Sequence, residues 1–133
     1  MRFVLDSSVA VAAARSREPG HRRSRNRIEA VFSGTDAIVV PTLFPVEVAA
    51  SLTRVGVALP AIRSYVDELL AGAAILPLGT RAARQARETA MRWGLRAADA
   101  VYVWAAEREG VPLCTIDGEI ARRASAACAV IGP

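Results

Sequence analysis

Residues 3–14 read FVLDSSVAVAAA, and this stretch indicates the class of fold. Phe3–Leu5 is a short apolar run of the kind found in buried strands, and Asp6–Ser8 is a typical helix start. An apolar helix is expected over Val9–Ala14. The stretch is therefore a strand that passes directly into a helix through an aspartate.

The same alternation of strand and helix continues along the chain. Its strands are continuous apolar runs, which is typical of a parallel sheet covered by helices on both faces. We therefore expect a single α/β domain over residues 1–133, a three-layer α/β/α sandwich with a central, mainly parallel sheet. Further strands are expected at 37–40, 74–78, 112–116 and 128–131. Further helices are expected at 21–33, 43–55, 60–71, 80–93, 97–109 and 119–126, with Thr80 as a helix cap.

Composition narrows the class of protein. The chain has 133 residues with 17 basic and 13 acidic side chains, and every basic one is arginine. Cys114 and Cys128 lie in apolar runs and lack the spacing of a zinc site, so we expect them to be small buried hydrophobic residues. No apolar run approaches the roughly 20 residues of a membrane span, and a cytoplasmic protein is expected.

Two aspartates directly follow expected strands. Asp6 follows the first strand, and Asp117 follows the strand at 112–116. Because the carboxyl ends of parallel strands meet at one edge of a sheet, both side chains are expected at the same edge, where α/β folds bind ligands. Asp6 as a helix cap and Asp117 with Gly118 as a turn are the alternatives.

Two further acids stand alone among apolar residues. Asp99 is the one charge in residues 97–106, and Glu47 is the one charge in residues 45–50. A first-turn aspartate paired with Arg96 and a solvent-facing glutamate are the alternatives. Four such acids in one cleft would repel each other unless a cation binds, and oxygen ligands without His or Cys favour Mg²⁺ or Mn²⁺.

The order and surroundings of these acids resemble the PIN-domain ribonucleases, and in particular the VapC-type toxins of bacterial toxin–antitoxin pairs. The matching segments are Val4–Ser8, Pro45–Val48, Leu95–Ala100 and Leu113–Asp117. The resemblance implies a PIN-like fold and an Mg²⁺- or Mn²⁺-dependent endoribonuclease, a homodimer inhibited by a small VapB-type antitoxin. It also implies an acidic quartet that is catalytic and binds the metal, namely Asp6, Glu47, Asp99 and Asp117. Ser8 and Thr115 match the hydroxyl positions that accompany the quartet.

The acidic quartet and its divalent cation, as the resemblance implies them, would hydrolyse RNA with a metal-activated water. This reaction leaves 5′-phosphate and 3′-hydroxyl ends. His21 is the one histidine and is expected at the surface, so a mechanism based on a pair of histidines is excluded within one chain.

The six arginines between Arg15 and Arg27 are either a solvated face or a surface that contacts phosphates or an acidic partner. The apolar residues of the helices at 43–55 and 60–71 could form a partner groove or a dimer contact.

Other functions of α/β proteins fit less well. Phosphoacceptor receiver domains and dehalogenase-type phosphatases need a lysine, and this chain has none. A nuclease that acts on DNA or structured flaps stays open. So does the main alternative, a catalytically silent PIN-like module that binds RNA or protein, although no acid of the quartet is missing.

Overall fold

A computed structural model of the chain describes residues 1–133 and contains five strands and seven helices. The strands are β1 (Arg2–Leu5), β2 (Ala37–Pro41), β3 (Ala73–Leu76), β4 (Leu113–Cys114) and β5 (Val130–Ile131). The helices are α1 (Ser7–Ala14), α2 (His21–Phe32), α3 (Phe44–Arg54), α4 (Leu59–Ala71), α5 (Thr80–Trp93), α6 (Ala97–Glu109) and α7 (Gly118–Ala124).

The five strands form one sheet in the order β3-β2-β1-β4-β5, and every neighbouring pair is parallel. The chain builds outward from β1 on one side through β2 and β3, and on the other through β4 and β5. The boundary between β1 and β4 is therefore the switch point of the sheet, where α/β folds place their ligands. The Asp6 N–H donates a hydrogen bond to the Cys114 carbonyl across this boundary, at 3.0 Å.

Helices cover the sheet on both sides, as the sequence predicts for an α/β/α sandwich. On one side α6 packs against β1, β2 and β4, and α5 packs against α6. On the other, α1 packs against α2 and α3, and α4 packs against α3 and β3. Residues 100–106 of α6 are all buried, which explains why that segment is apolar on every face.

The predicted elements are all present, but the last strands are shorter than expected. β4 ends at Cys114 instead of residue 116, because the Thr115 hydroxyl accepts a hydrogen bond from the Asp117 N–H and the chain turns out of the sheet. β5 begins at Val130 instead of residue 128, since the Cys128 N–H still bonds to the Ala124 carbonyl at the end of α7.

Three smaller expectations have mixed outcomes. Thr80 is the first residue of α5 and not its cap, which is Gly79. His21 is half-buried, and its Nδ1 lies 2.8 Å from the Ala12 carbonyl, so it is less exposed than predicted. Cys114 is buried, Cys128 is half-buried, and both are free.

None of the helices has the length and apolar character that crossing a membrane requires.

Candidate active site

Three of the four predicted acids lie where a strand passes into the following helix, and the fourth, Asp99, lies at the start of a helix that follows another helix. Asp6 follows β1, Glu47 is in the first turn of α3, Asp99 is in the first turn of α6, and Asp117 is the N-cap of α7. Burial raises the pKa of Asp6 and Glu47, and the charge of Asp99 raises both further. Three of the four carboxylates therefore lie within electrostatic reach of one another.

Asp6 is buried and held by two hydroxyl groups. The Ser8 and Thr115 hydroxyls both donate to its Oδ2, at 2.5 and 2.6 Å. Asp6 is also the N-cap residue of α1, as the alternative drawn from the sequence has it, although its side chain makes no capping hydrogen bond to that helix. Burial raises the pKa of Asp6 although both hydroxyl bonds lower it, because only 5% of the residue is exposed to water.

Glu47 is half-buried and is oriented from two other elements. Its Oε1 accepts hydrogen bonds from the Tyr102 hydroxyl at 2.6 Å and from the Ser7 hydroxyl at 3.3 Å. Burial is the main reason that its pKa is raised, and the negative charge of Asp6 adds to the effect. The interpretation of Glu47 as a solvent-facing residue is therefore wrong.

Tyr102 and Ser7 are the site residues that sequence reasoning missed. Tyr102 lies one turn after Asp99 on α6 and is buried, so its side chain reads as part of the apolar core. The Tyr102 hydroxyl is the one polar group of this side chain. Burial and the negative charge of the nearby Glu47 raise the pKa of Tyr102. The one signal in the sequence is the spacing of Asp99 and Tyr102, which puts both on the same face of a helix.

Asp99 and Asp117 are joined by a cation of the chain itself. Nε of Arg96 lies 3.1 Å from Oδ2 of Asp99, and Nη2 of Arg96 lies 3.2 Å from Oδ2 of Asp117. Asp117 also caps α7, since its Oδ1 accepts the N–H groups of Glu119 and Ile120. The Arg96 pair at Asp99, an alternative drawn from the sequence, is thus present, whereas Asp117 with Gly118, expected as a turn, forms the start of α7.

The donor set of this cluster fits a hard divalent cation. All four groups are carboxylates, and one oxygen each of Glu47 and Asp99 receives no hydrogen bond from the chain. No three acidic, His or Cys side chains already converge at metal-binding distance. Binding of a cation would therefore need small side-chain movements, of which the displacement of Arg96 is the most obvious.

Comparison with known families identifies the fold around this cluster. The model of the PIN domain family matches residues 3–126, which is most of the chain. The chain belongs to the PIN domain family. The resemblance predicted from the four acids is thereby confirmed, while a search of curated proteins finds no match.

Solved structures share the architecture of this PIN domain at low sequence identity. VapBC2 of Rickettsia felis, bound to a DNA fragment from its promoter, has a TM-score of 0.72 at 14% identity and covers 100% of this chain and 99% of its own. VapC20 of Mycobacterium tuberculosis, a sarcin-ricin loop cleaving toxin, has a TM-score of 0.74 at 14% identity, and the match covers 90% of this chain and 93% of VapC20. FitAcB of Neisseria gonorrhoeae has a TM-score of 0.65 at 17% identity, and the match covers 98% of this chain and 96% of the FitAcB chain. These likenesses show the fold.

The arginine-rich segment of the PIN domain divides into two groups. Arg15 pairs with Glu18, Arg25 pairs with Glu29, and Arg27 pairs with Asp36. The remaining three make no ion pair, namely Arg17, Arg22 and Arg23. Of these, Arg23 lines a cavity of about 320 Å³ together with Thr115 and Ile116, next to the acidic cluster.

Proposed function

We propose that this PIN domain is a metal-dependent endoribonuclease whose catalytic residues are Asp6, Glu47, Asp99 and Asp117. One observation carries the proposal: three of the four carboxylates lie within electrostatic reach of one another, Arg96 links the fourth to Asp99, and burial raises the pKa of two of them. Acids whose pKa is perturbed in this way are candidates for a functional site.

The four carboxylates are the residues that would hold Mg²⁺ or Mn²⁺. When bound, such an ion neutralises charge on the scissile phosphate and makes a bound water more acidic. The chain itself fixes the ligands: Ser8 and Thr115 hold the Asp6 carboxylate, and Tyr102 holds Glu47 from α6.

Glu47 is held so that one of its carboxylate oxygens stays available. Tyr102 and Ser7 donate to Oε1, and Oε2 receives no hydrogen bond from the chain. We therefore assign the contact with the cation to this second oxygen.

We further propose that the protein is a VapC-type toxin that acts on RNA in the cytoplasm, as a homodimer inhibited by a VapB-type antitoxin. The support is the set of similar structures, which include VapBC complexes and a toxin that cleaves the sarcin-ricin loop. A single PIN domain over residues 1–133 agrees with the coverage of these chains.

The test is cleavage of total RNA by purified protein that carries no antitoxin, with Mg²⁺ or Mn²⁺. We expect cutting that EDTA abolishes and that Asp6→Asn lowers at least a hundredfold. Asp67→Asn, at an exposed position on α4 that makes no hydrogen bond or ion pair, is the matched control and should cut normally. A folded protein that neither cuts RNA nor binds Mn²⁺ would contradict the proposal and favour the silent binding module.

A further inference from the structure

The guanidinium of Arg96 bridges two acids that lie on different elements. Its Nε contacts Asp99 on α6 and its Nη2 contacts Asp117 at the start of α7. Of the 17 arginines in the chain, Arg96 is the one that forms an ion pair with any of the four clustered carboxylates. The bridge therefore supplies the positive charge that offsets their mutual repulsion.

The hydrogen bonds of Asp117 show why this bridge matters. Its Oδ1 accepts the N–H groups of Glu119 and Ile120, which orient the start of α7. Its Oδ2 is then the oxygen left for a cation, and Arg96 occupies that oxygen. At Asp99, Arg96 again occupies Oδ2 and leaves the other oxygen free.

We propose that Arg96 is an internal competitor for the divalent cation. The Arg96 guanidinium occupies the Oδ2 of Asp117 that a divalent cation would need, and two positive charges close together repel each other. Binding of the metal would therefore require Arg96 to move away. This inference rests on the proposed function, since it presumes that the four carboxylates take a divalent cation.

The exposure of Arg96 makes this exchange feasible. Its side chain is 74% exposed, against 14% for Asp99 and 28% for Asp117. The acids are fixed by the fold, whereas the guanidinium can turn into water without opening the core. Ion pairs with an exposed partner are weak, so a divalent ion can displace one. The competitor thus lowers metal affinity without blocking the site.

The experiment is a calorimetric Mn²⁺ titration of the full chain and three variants. Arg96→Gln removes the competitor, and we expect it to bind Mn²⁺ roughly three- to tenfold more tightly than the native chain. Arg96→Lys keeps the charge but loses the fork of donors, so its affinity should lie between the two. Arg92→Gln removes one exposed charge on α5 that makes no ion pair, and it should bind like the native chain.

The sign of the effect separates competition from a structural role. If Arg96 positioned the acids for the metal, Arg96→Gln would bind more weakly, and that result would overturn the inference, as would an unchanged affinity. Equal Mn²⁺ binding by the native chain and Arg96→Gln would leave the proposed nuclease intact. Absence of Mn²⁺ binding in all four folded proteins would instead contradict the proposed function, and the inference with it.

Discussion

The two tyrosine hydroxyls of this protein have different acceptors. Tyr102 donates to the Glu47 carboxylate at 2.6 Å, and Tyr65 donates to the main-chain carbonyl of Ala10 at 2.7 Å. The first bond orients a proposed catalytic group, whereas the second joins α4 to α1. Comparing variants of the two tyrosines therefore distinguishes a hydrogen bond that orients a proposed catalytic residue from one that only stabilises the fold.

Tyr102→Phe is expected to slow RNA cleavage about tenfold, because Glu47 loses the donor that orients it. Tyr65→Phe removes a bond to a neutral carbonyl and should lower the free energy of unfolding by about 1 kcal/mol, whereas Tyr102→Phe removes a bond to a carboxylate and should lower it by about 1.5–3 kcal/mol. The measurements are single-turnover cleavage rates and urea unfolding. Equal cleavage rates for the two variants would mean that Tyr102 has no positioning role.

Asp36 provides a pH-dependent contribution to stability away from the acidic cluster. The Arg27 guanidinium, 2.9 Å away, lowers the pKa of Asp36 below its ordinary value of 3.8. Because the unfolded state binds the proton more tightly, this contribution is present above the unfolded pKa. It is lost as the pH falls through the ordinary value toward the lower folded one.

Asp36→Asn should therefore lower the free energy of unfolding by about 1–2 kcal/mol at pH 6, and by much less at pH 3. Urea unfolding at both pH values measures the difference. Glu29→Gln is the control, since its pair with Arg25 is exposed on both sides and should contribute little. A deficit of the same size at pH 3 and pH 6 would contradict this assignment.

At the scale of single residues, local patterns could predict the acids, but not every bond between them and distant residues. Asp99 and Glu47 stand out because each is the one charge in an apolar segment. Thr115, by contrast, was expected near the acids only from the family resemblance, and its bond to Asp6 spans 109 positions of the chain. That pairing depends on β1 and β4 being neighbours, which no local pattern specifies.

Helix α6 is the element on which the site depends most. It carries Asp99 and Tyr102, and its end is set by Gly110, which has a φ of +63°. That left-handed conformation turns the chain so that the Val111 N–H bonds to the Ala106 carbonyl and the helix ends. Residues with a side chain adopt it at a cost of roughly 1–2 kcal/mol.

Gly110→Ala is expected to lower the free energy of unfolding by about 1 kcal/mol. A Cβ at this position would meet no atom within 4 Å, so the loss is conformational and not steric. Gly72→Ala is the matched control, because Gly72 also follows a helix in open space but has a φ of −105°. Chemical denaturation of both variants is the measurement, and an equal effect on both would contradict the conformational explanation.

The ends of the helices could be predicted more closely from the sequence than the ends of the strands. Gly94 and Gly110 end α5 and α6, as their positions directly after helical patterns predict. The short strands β4 and β5 were predicted too long, because an apolar residue favours burial whether or not its backbone joins the sheet. Hydrogen bonds of Thr115 and Cys128 end these strands locally.

At the scale of the whole molecule, the strand order creates the site. Placing β1 between β2 and β4 brings the end of the first strand beside the end of the fourth, and with them Asp6 and Asp117. The sequence predicts a common edge for these acids but not their adjacency. It also leaves out Arg96 as a bridge, since pairing with Asp117 requires that α6 and α7 start close together.

Hydrolysis of RNA by water at the acidic cluster is tested most directly by the chemical groups at the ends of the cleaved RNA. The measurement is end-group analysis of fragments made by the native chain in Mn²⁺, beside Asp6→Asn. Attack by water predicts 5′-phosphate and 3′-hydroxyl ends, formed by the native chain and absent with the variant. Fragments with 5′-hydroxyl and cyclic phosphate ends, or equal cutting by Asp6→Asn, would contradict it.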